Sequence, residues 1–218
     1  MADPLEWSAW GIVCGPMARA QLMAVIRQDD VGYQPSGVRQ IVASRDSVTT
    51  GLVFAAGLAV LTHRLAGALP MVASAWLVTV GGQLMLIDWV FHRLPNHLVV
   101  ALFLGGMVIF STAAVHGGNV TAFVRAVLAA TVVFAAALMT ALIFPGSLGA
   151  GDVKLLGAVA LFLGWAGWLQ VLHGIALALL LGAAAGAVLL ATKRISRDDR
   201  LAFGPAILGG ALLTIVTL

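Results

Sequence analysis

The stretch from Val120 to Phe144 holds 25 residues and one charge, Arg125. A run that long and that apolar fits an α-helix crossing a bilayer. About 20 apolar residues span the hydrocarbon, and a helix satisfies its own backbone N–H and C=O groups where no water can. The pattern recurs along the chain. About eight spans are read: Trp7–Ile26, Val48–Thr62, Met71–Trp89, His97–Val115, Val120–Phe144, Asp152–Trp168, His173–Thr192 and Phe203–Leu218. Polar joints separate them, the longest being Arg27–Ser47. Charged residues are 10% of the chain and apolar ones 61%, against about 25% and about 45–50% in soluble domains. The runs do not alternate, which excludes barrel strands. The expected fold is all-α: a polytopic transmembrane helix bundle, one membrane-embedded domain over residues 1–218, without tandem repeats.

The basic residues orient this bundle. With the N-terminus outside, nine of the twelve fall in inside joints: Arg27, Arg39, Arg45, Arg93, Lys154, Lys193, Arg194, Arg197 and Arg200. Only Arg64 falls in an outside joint, while Arg19 and Arg125 lie within spans and are expected to face protein or snorkel. Both termini are therefore expected outside. The pI near 9.8 does not indicate nucleic-acid binding, because the cations are scattered between spans rather than gathered on one soluble face. Met1–Trp7 lacks a basic n-region, so the first span is expected to stay in the mature protein. Cys14 is the one cysteine, which excludes an intrachain disulfide and a cysteine zinc site. The five histidines sit at span ends without partners at ligand spacing, so no metal site is expected. Trp76 and Trp165 fall near the outer boundary, where indoles favour the headgroups; filling helix contacts is the equal alternative.

Two of the nine carboxylates stand apart. Asp88 ends the third span and Asp152 begins the sixth, both on the cytoplasmic side of this topology. The other seven (Asp3, Glu6, Asp29, Asp30, Asp46, Asp198 and Asp199) lie in the N-terminal segment and polar joints. An acid at a membrane boundary is costly to keep and is a functional candidate, and two on one side suggest a dyad for acid–base chemistry. Asp88 closes a helix, where negative charge is disfavoured, and Asp152 opens one, where it is favoured. The expected division is a protonated Asp88 and an ionised Asp152, one donating a proton and the other activating water. The structural alternatives are an Asp152 that caps its helix and an Asp88 paired with Arg93. Pro95 ends the preceding helix, so Leu94–Asn96 is expected to be a fixed turn.

Gly149-Ala150-Gly151-Asp152-Val153-Lys154 resembles the Gly-x-Gly-Asp motif of the type IV prepilin peptidases, the prepilin leader peptidases. With 25 glycines, one Gly-x-Gly-Asp match is expected by chance about 0.1 times, so the motif alone decides little. Asp88 to Asn96, with Arg93-Leu94-Pro95-Asn96, resembles the family's first aspartate motif, and Phe203-Gly204-Pro205 resembles a third element at the start of the last helix. The resemblance covers about residues 75–215. It implies a polytopic aspartic endopeptidase of the bacterial cytoplasmic membrane that removes the short basic leader from prepilins or pseudopilins at the cytoplasmic face. Asp88 and Asp152 match the two catalytic aspartates. Gly149, Gly151, Lys154, Arg93, Pro95, Asn96, Gly204 and Pro205 are the expected supporting or substrate-binding residues.

Many members also methylate the new N-terminus with S-adenosylmethionine and carry four cysteines that bind zinc in the first cytoplasmic loop. The loop at 27–47 has no cysteine. Proteolysis needs no cofactor, and S-adenosylmethionine enters only if methyl transfer is retained. The expected partners are the pilin-like substrate and the lipid bilayer, and acidic joint residues such as Asp29, Asp30, Asp198 and Asp199 are candidates for drawing in the basic leader. Lys154 and Arg93 each carry two readings, dyad or substrate contact and positive-inside anchor. The clustered Gly182-Ala183-Ala184-Ala185-Gly186 is expected to serve helix packing. Two alternatives compete. A presenilin-like intramembrane protease shares Gly-x-Gly-Asp, but Met85-Leu86-Ile87-Asp88 lacks its Tyr-Asp context. A proton-coupled transporter tends to hold its acids near the midplane rather than at an edge.

Overall fold

A computed structural model describes residues 70–91, 94–145, 148–192 and 203–217. The first two spans and the 27–47 loop lie outside the described residues. Six helices fill the remainder: α1 Met71–Phe91, α2 Asn96–Gly117, α3 Val120–Ile143, α4 Ala150–Ala166, α5 Trp168–Ala191 and α6 Gly204–Val216. They correspond one for one to the last six spans read from the sequence.

The breaks have local causes. Pro95 is the N-cap of α2, extended at φ −67° and ψ 121°, as the turn at Leu94–Asn96 requires. Gly118 closes α2 in the left-handed region at φ 68°, which glycine enters without cost. One joint differs from expectation. The sequence reading puts residues 169–172 between two spans, but Gly167 is the whole connection between α4 and α5, at φ 158° and ψ 168°. That region is open essentially to glycine alone, so one residue suffices to redirect the chain.

Four of the helices (α1 over Met71–Trp89, α2, α3 and α5) are long and apolar enough to cross a membrane. The other two are shorter, with 17 residues in α4 and 13 in α6. At 1.5 Å per residue these reach about 25 and about 20 Å, less than the ~30 Å of hydrocarbon. Their surroundings account for this. In α4, Val153 and every residue from Leu155 to Trp165 are buried, because α2, α3, α5 and α6 all pack on it. Protein, not lipid, is the solvent of α4. By contrast α5 buries only 17% of its apolar window and turns Leu172, Leu180 and Val188 outward.

Lipid is as apolar as leucine, so helices in it are held by close packing rather than by a hydrophobic drive. Small residues supply the approach. A methyl group added to Gly157 would lie 3.0 Å from Phe134, and one on Gly164 would lie 2.6 Å from Ala129, so α3 settles onto α4. Across α5 and α6, a methyl on Gly210 would lie 2.5 Å from the backbone of Ala178. Trp76 of α1 fills the space above Gly105 of α2 and donates its indole N–H to the Ala101 carbonyl at 3.3 Å. Trp165 stacks on Phe110 at 4.7 Å. For these two tryptophans the contact-filling alternative holds.

The C-terminal end of α4 carries a half-buried polar device. Arg125, the single charge of α3, donates Nε–H to the Gly164 carbonyl at 2.7 Å and Nη2–H to the Trp165 carbonyl at 2.5 Å. A helix leaves its last carbonyls without intrahelical partners, and a cation there also complements the helix dipole. Arg125 therefore faces protein. The opposite end of the bundle gathers the end of α1 and the starts of α2, α4 and α6, through the contacts described next.

Candidate active site

Asp88 lies near the end of α1 and is 3% exposed. Its Oδ2 accepts the Gly204 N–H at 2.8 Å, across 116 positions of sequence. The first turn of α6 explains why that donor is available. Phe203 is the N-cap and Pro205 stands in the first turn; proline has no N–H. The Ala206 N–H goes to the Phe203 carbonyl at 3.1 Å. Gly204 turns its own N–H to Asp88, one of the donors a helix start leaves over. A methyl at position 204 would lie 2.6 Å from Asp88 Oδ2, so the contact is made at a residue without a side chain.

Asp152 is the third residue of α4, behind the N-cap Gly149. Its Oδ2 accepts the Gly149 N–H at 3.2 Å, the reaching-back half of a capping box. The helix begins two residues before the expected start, and the capping alternative for Asp152 is met in geometry. Capping does not settle its electrostatics, however. Burial, and after it the charge of Asp88, push the Asp152 carboxyl up from 3.8 to about 6, while the Gly149 bond works in the opposite sense.

This corrects the expected environment. The α4 terminus and its amide do favour the ionised form, but desolvation and a second carboxylate outweigh them. Asp88, for its part, receives an amide from the start of α6 as well as standing at the end of its own helix. The expectation of a lowered Asp152, drawn from its own helix end, is overturned. The charge of Asp88 instead reaches Asp152.

The supporting residues fall around this pair. Gly151 brings the first turn of α4 against Leu94, where an added methyl would lie 2.9 Å from the leucine Cβ. Lys154 Nζ donates to Asn96 Oδ1 at 2.9 Å, tying α4 to the first residue of α2, and both side chains are exposed. Pro95 fixes that start of α2, and Pro205 shapes the α6 turn. Arg93, Asp29, Asp30, Asp198 and Asp199 lie outside the described residues. Two residues quoted within the motifs take packing roles that the sequence does not assign, and Leu94, which meets Gly151, is one of them. Phe203 lays its ring over Gly182 of α5, where an added methyl would lie 2.1 Å from Cε2; the small-residue cluster carries a packing signal there but names no partner.

No curated protein and no solved structure matches the chain. The model of the type IV leader peptidase family matches residues 71–191, which is more than half of the chain and takes in α1 to α5 with both aspartates. Two of the three short motifs, Asp88–Asn96 and Gly149–Lys154, lie within this match and Phe203-Gly204-Pro205 lies beyond it; the chain belongs to the type IV leader peptidase family.

Proposed function

We propose that Asp88 and Asp152 are the catalytic pair of a membrane aspartic endopeptidase that removes the short basic leader from a prepilin or pseudopilin. Membership of a leader peptidase family supports the substrate class. One observation carries the assignment of the pair: the Asp88 charge raises the Asp152 carboxyl, so acids 64 positions apart in sequence lie within electrostatic reach at one end of the bundle.

Such a pair works by sharing one proton. The ionised carboxylate takes a proton from water as the water oxygen attacks the peptide carbonyl carbon. The protonated partner gives its proton to the carbonyl oxygen, forming a neutral gem-diol. The carboxyl that took the water proton then gives it to the nitrogen as the C–N bond breaks, while a gem-diol hydroxyl returns its proton to the other carboxylate, releasing an amine and a carboxylic acid and leaving one proton on the pair. The proton belongs to the pair rather than to either residue. Proteolysis in this reading uses no cofactor, and S-adenosylmethionine concerns only a separate methyl transfer.

The placement of basic residues puts this end of the bundle at the cytoplasmic face, with eight spans and both termini outside. A leader in the cytosol then meets the pair while the pilin's apolar segment stays in lipid. The location proposed is the bacterial cytoplasmic membrane.

Co-expression with a prepilin in membranes tests the reading, with leader removal followed by gel shift. Asp88→Asn and Asp152→Asn should each abolish cleavage while still inserting. Cleavage by either variant at a rate comparable to the parent would overturn the dyad.

A further inference from the structure

We infer that Gly182 of α5 is a positioning residue for peptide cleavage, acting on Asp88 through the Phe203 ring and the Gly204 amide. The inference rests on the reading of Asp88 as one of the catalytic pair.

The contacts form a chain. Gly182 is buried on a helix otherwise turned largely to lipid. The Phe203 ring lies against it, and three ring carbons would stand 2.1 to 2.8 Å from a methyl placed there. Phe203 is the residue immediately before Gly204, and its carbonyl accepts the Ala206 and Ile207 N–H groups, both at 3.1 Å. The seat of the ring therefore helps fix where the first turn of α6 begins. That turn puts the Gly204 N–H 2.8 Å from Asp88 Oδ2. The tolerance is small on the Gly204 side too, since Gly204 has room for hydrogen but not for a methyl beside the same oxygen.

The seat also sets depth. Gly182 lies nine residues before Ala191, the last residue of α5, or about 14 Å back along the helix. A 13-residue α6 thus starts beside Asp88 rather than at the end of α5. Pushing the ring out moves the start of α6 and with it the hydrogen bond to one member of the pair. A shift of about 1 Å in a reacting group can lower a rate about a hundredfold.

The test uses the full chain in proteoliposomes with a membrane-anchored prepilin-type substrate. Gly182→Val should lower kcat about tenfold or more with KM little changed, and should displace the pH–rate profile. Gly182→Ala should show a smaller loss, and adding Phe203→Leu to it should recover part of the rate by making room for the methyl. Ala184→Val, on the exposed side of the same helix, should cleave as the parent does. A Gly182→Val enzyme with parental kcat and pH profile overturns the inference. So does a loss of rate that follows thermal stability alone, with the profile unmoved and no recovery in the double variant. Asp88→Asn is run beside them. If it cleaves normally, the catalytic reading fails and the inference falls with it. If it is inactive while Gly182→Val is normal, the inference alone fails.

Discussion

Asp152 is held by its own turn, through a bond to Gly149 three residues away. Asp88 is held by a helix that begins 116 residues later. The two acids answer to different parts of the molecule. The support of Asp152 lies within the family match at 71–191, whereas the amide that meets Asp88 comes from α6, beyond it. A local tie survives small movements between helices because the whole turn moves together. A tie across the bundle depends on the packing of α5 on α6 and of α6 on α1. The pair thus joins a robust member to one that senses the whole helix arrangement.

The largest effect tests whether the difference in support leaves the chemistry symmetric. Asp88→Asn and Asp152→Asn should each lower leader cleavage by at least about a thousandfold, since general acid and base catalysis are both lost when the shared proton has no second site. Asparagine at position 88 still accepts the Gly204 N–H through Oδ1, so that variant is expected to keep its fold. Measurement is by initial rate in detergent or proteoliposomes. A residual rate within tenfold of the parent in only one variant would make the pair unequal in catalysis as well as in support.

Next come the two glycines that face the acids. A methyl on Gly204 would lie 2.6 Å from Asp88 Oδ2, and one on Gly149 would lie 2.9 Å from Asp152 Oδ2. The distances are similar but the settings differ. Gly204 and Asp88 are both buried, whereas Gly149 is exposed and its turn can relax into water. Gly204→Ala should cost about 10–100-fold in kcat, and Gly149→Ala only a few-fold. Equal losses would erase the contrast between the long-range and local ties.

This contrast also marks what the sequence could tell. The apolar runs predicted six of the helices because each needs only its own composition, and Pro95 placed the start of α2 because proline acts on its neighbours. The Gly-x-Gly-Asp motif placed Asp152 for the same reason. The Gly204 bond to Asp88 was beyond reach, since no local rule tells which amide meets which acid across 116 positions. Asp152 shows the same limit in energetics. Its helix terminus argues for a low pKa, but burial and Asp88 are tertiary facts, and they prevail. Arg125 lay between these cases. Its charge inside an apolar run left it to face protein or to snorkel, and did not tell that its partners are the last carbonyls of α4.

Removing Arg125 should act on stability and spare the pair. Arg125→Met leaves the Gly164 and Trp165 carbonyls without the donors that now meet them. Losing hydrogen bonds from a charged group at such a site costs about 1.5–3 kcal/mol. Thermal unfolding in detergent should fall accordingly, with kcat of the folded enzyme within about twofold of the parent, below the hundredfold that a 1 Å displacement can cost. A large loss of kcat would mean that the far end of α4 sets the position of Asp152, which would then be no more local than Asp88.

The raised Asp152 carboxyl gives a pH-dependent signature with a definite sign. The folded protein binds this proton up to about pH 6, the ordinary group only to 3.8. The contribution of Asp152 to stability is therefore greatest at low pH and is lost as pH rises through that window. Asp152→Asn removes the dependence, so its melting temperature should exceed the parent's by a few degrees above pH 6, with the advantage shrinking toward pH 4. In Asp88→Asn the carboxyl should titrate below 6 yet above 3.8, because one of the two raising causes is gone and burial remains. Carbon-13 NMR of labelled aspartate reads this directly. An unchanged titration in Asp88→Asn would mean that the two acids do not sense each other.

The smallest effect concerns Lys154 and separates a tie between two helices from a contact for the substrate. The Lys154 bond to Asn96 ties α4 to α2 beside Asp152. It is exposed, where a charged hydrogen bond is screened by water and contributes about 0–1 kcal/mol. The same junction is also closed by Gly151 against Leu94, a contact that does not depend on charge. If the bond only ties the turns, Lys154→Met and Asn96→Ala should each lower stability by less than about 1 kcal/mol. Their double variant should then lose little more than either single, since each already breaks the same bond. Cleavage should change less than it does in Gly151→Ala, which forces the packed contact apart. A Lys154→Met enzyme that melts like the parent but has a KM raised tenfold would instead make Lys154 a contact for the substrate, and Asn96 the residue that holds its ammonium ready.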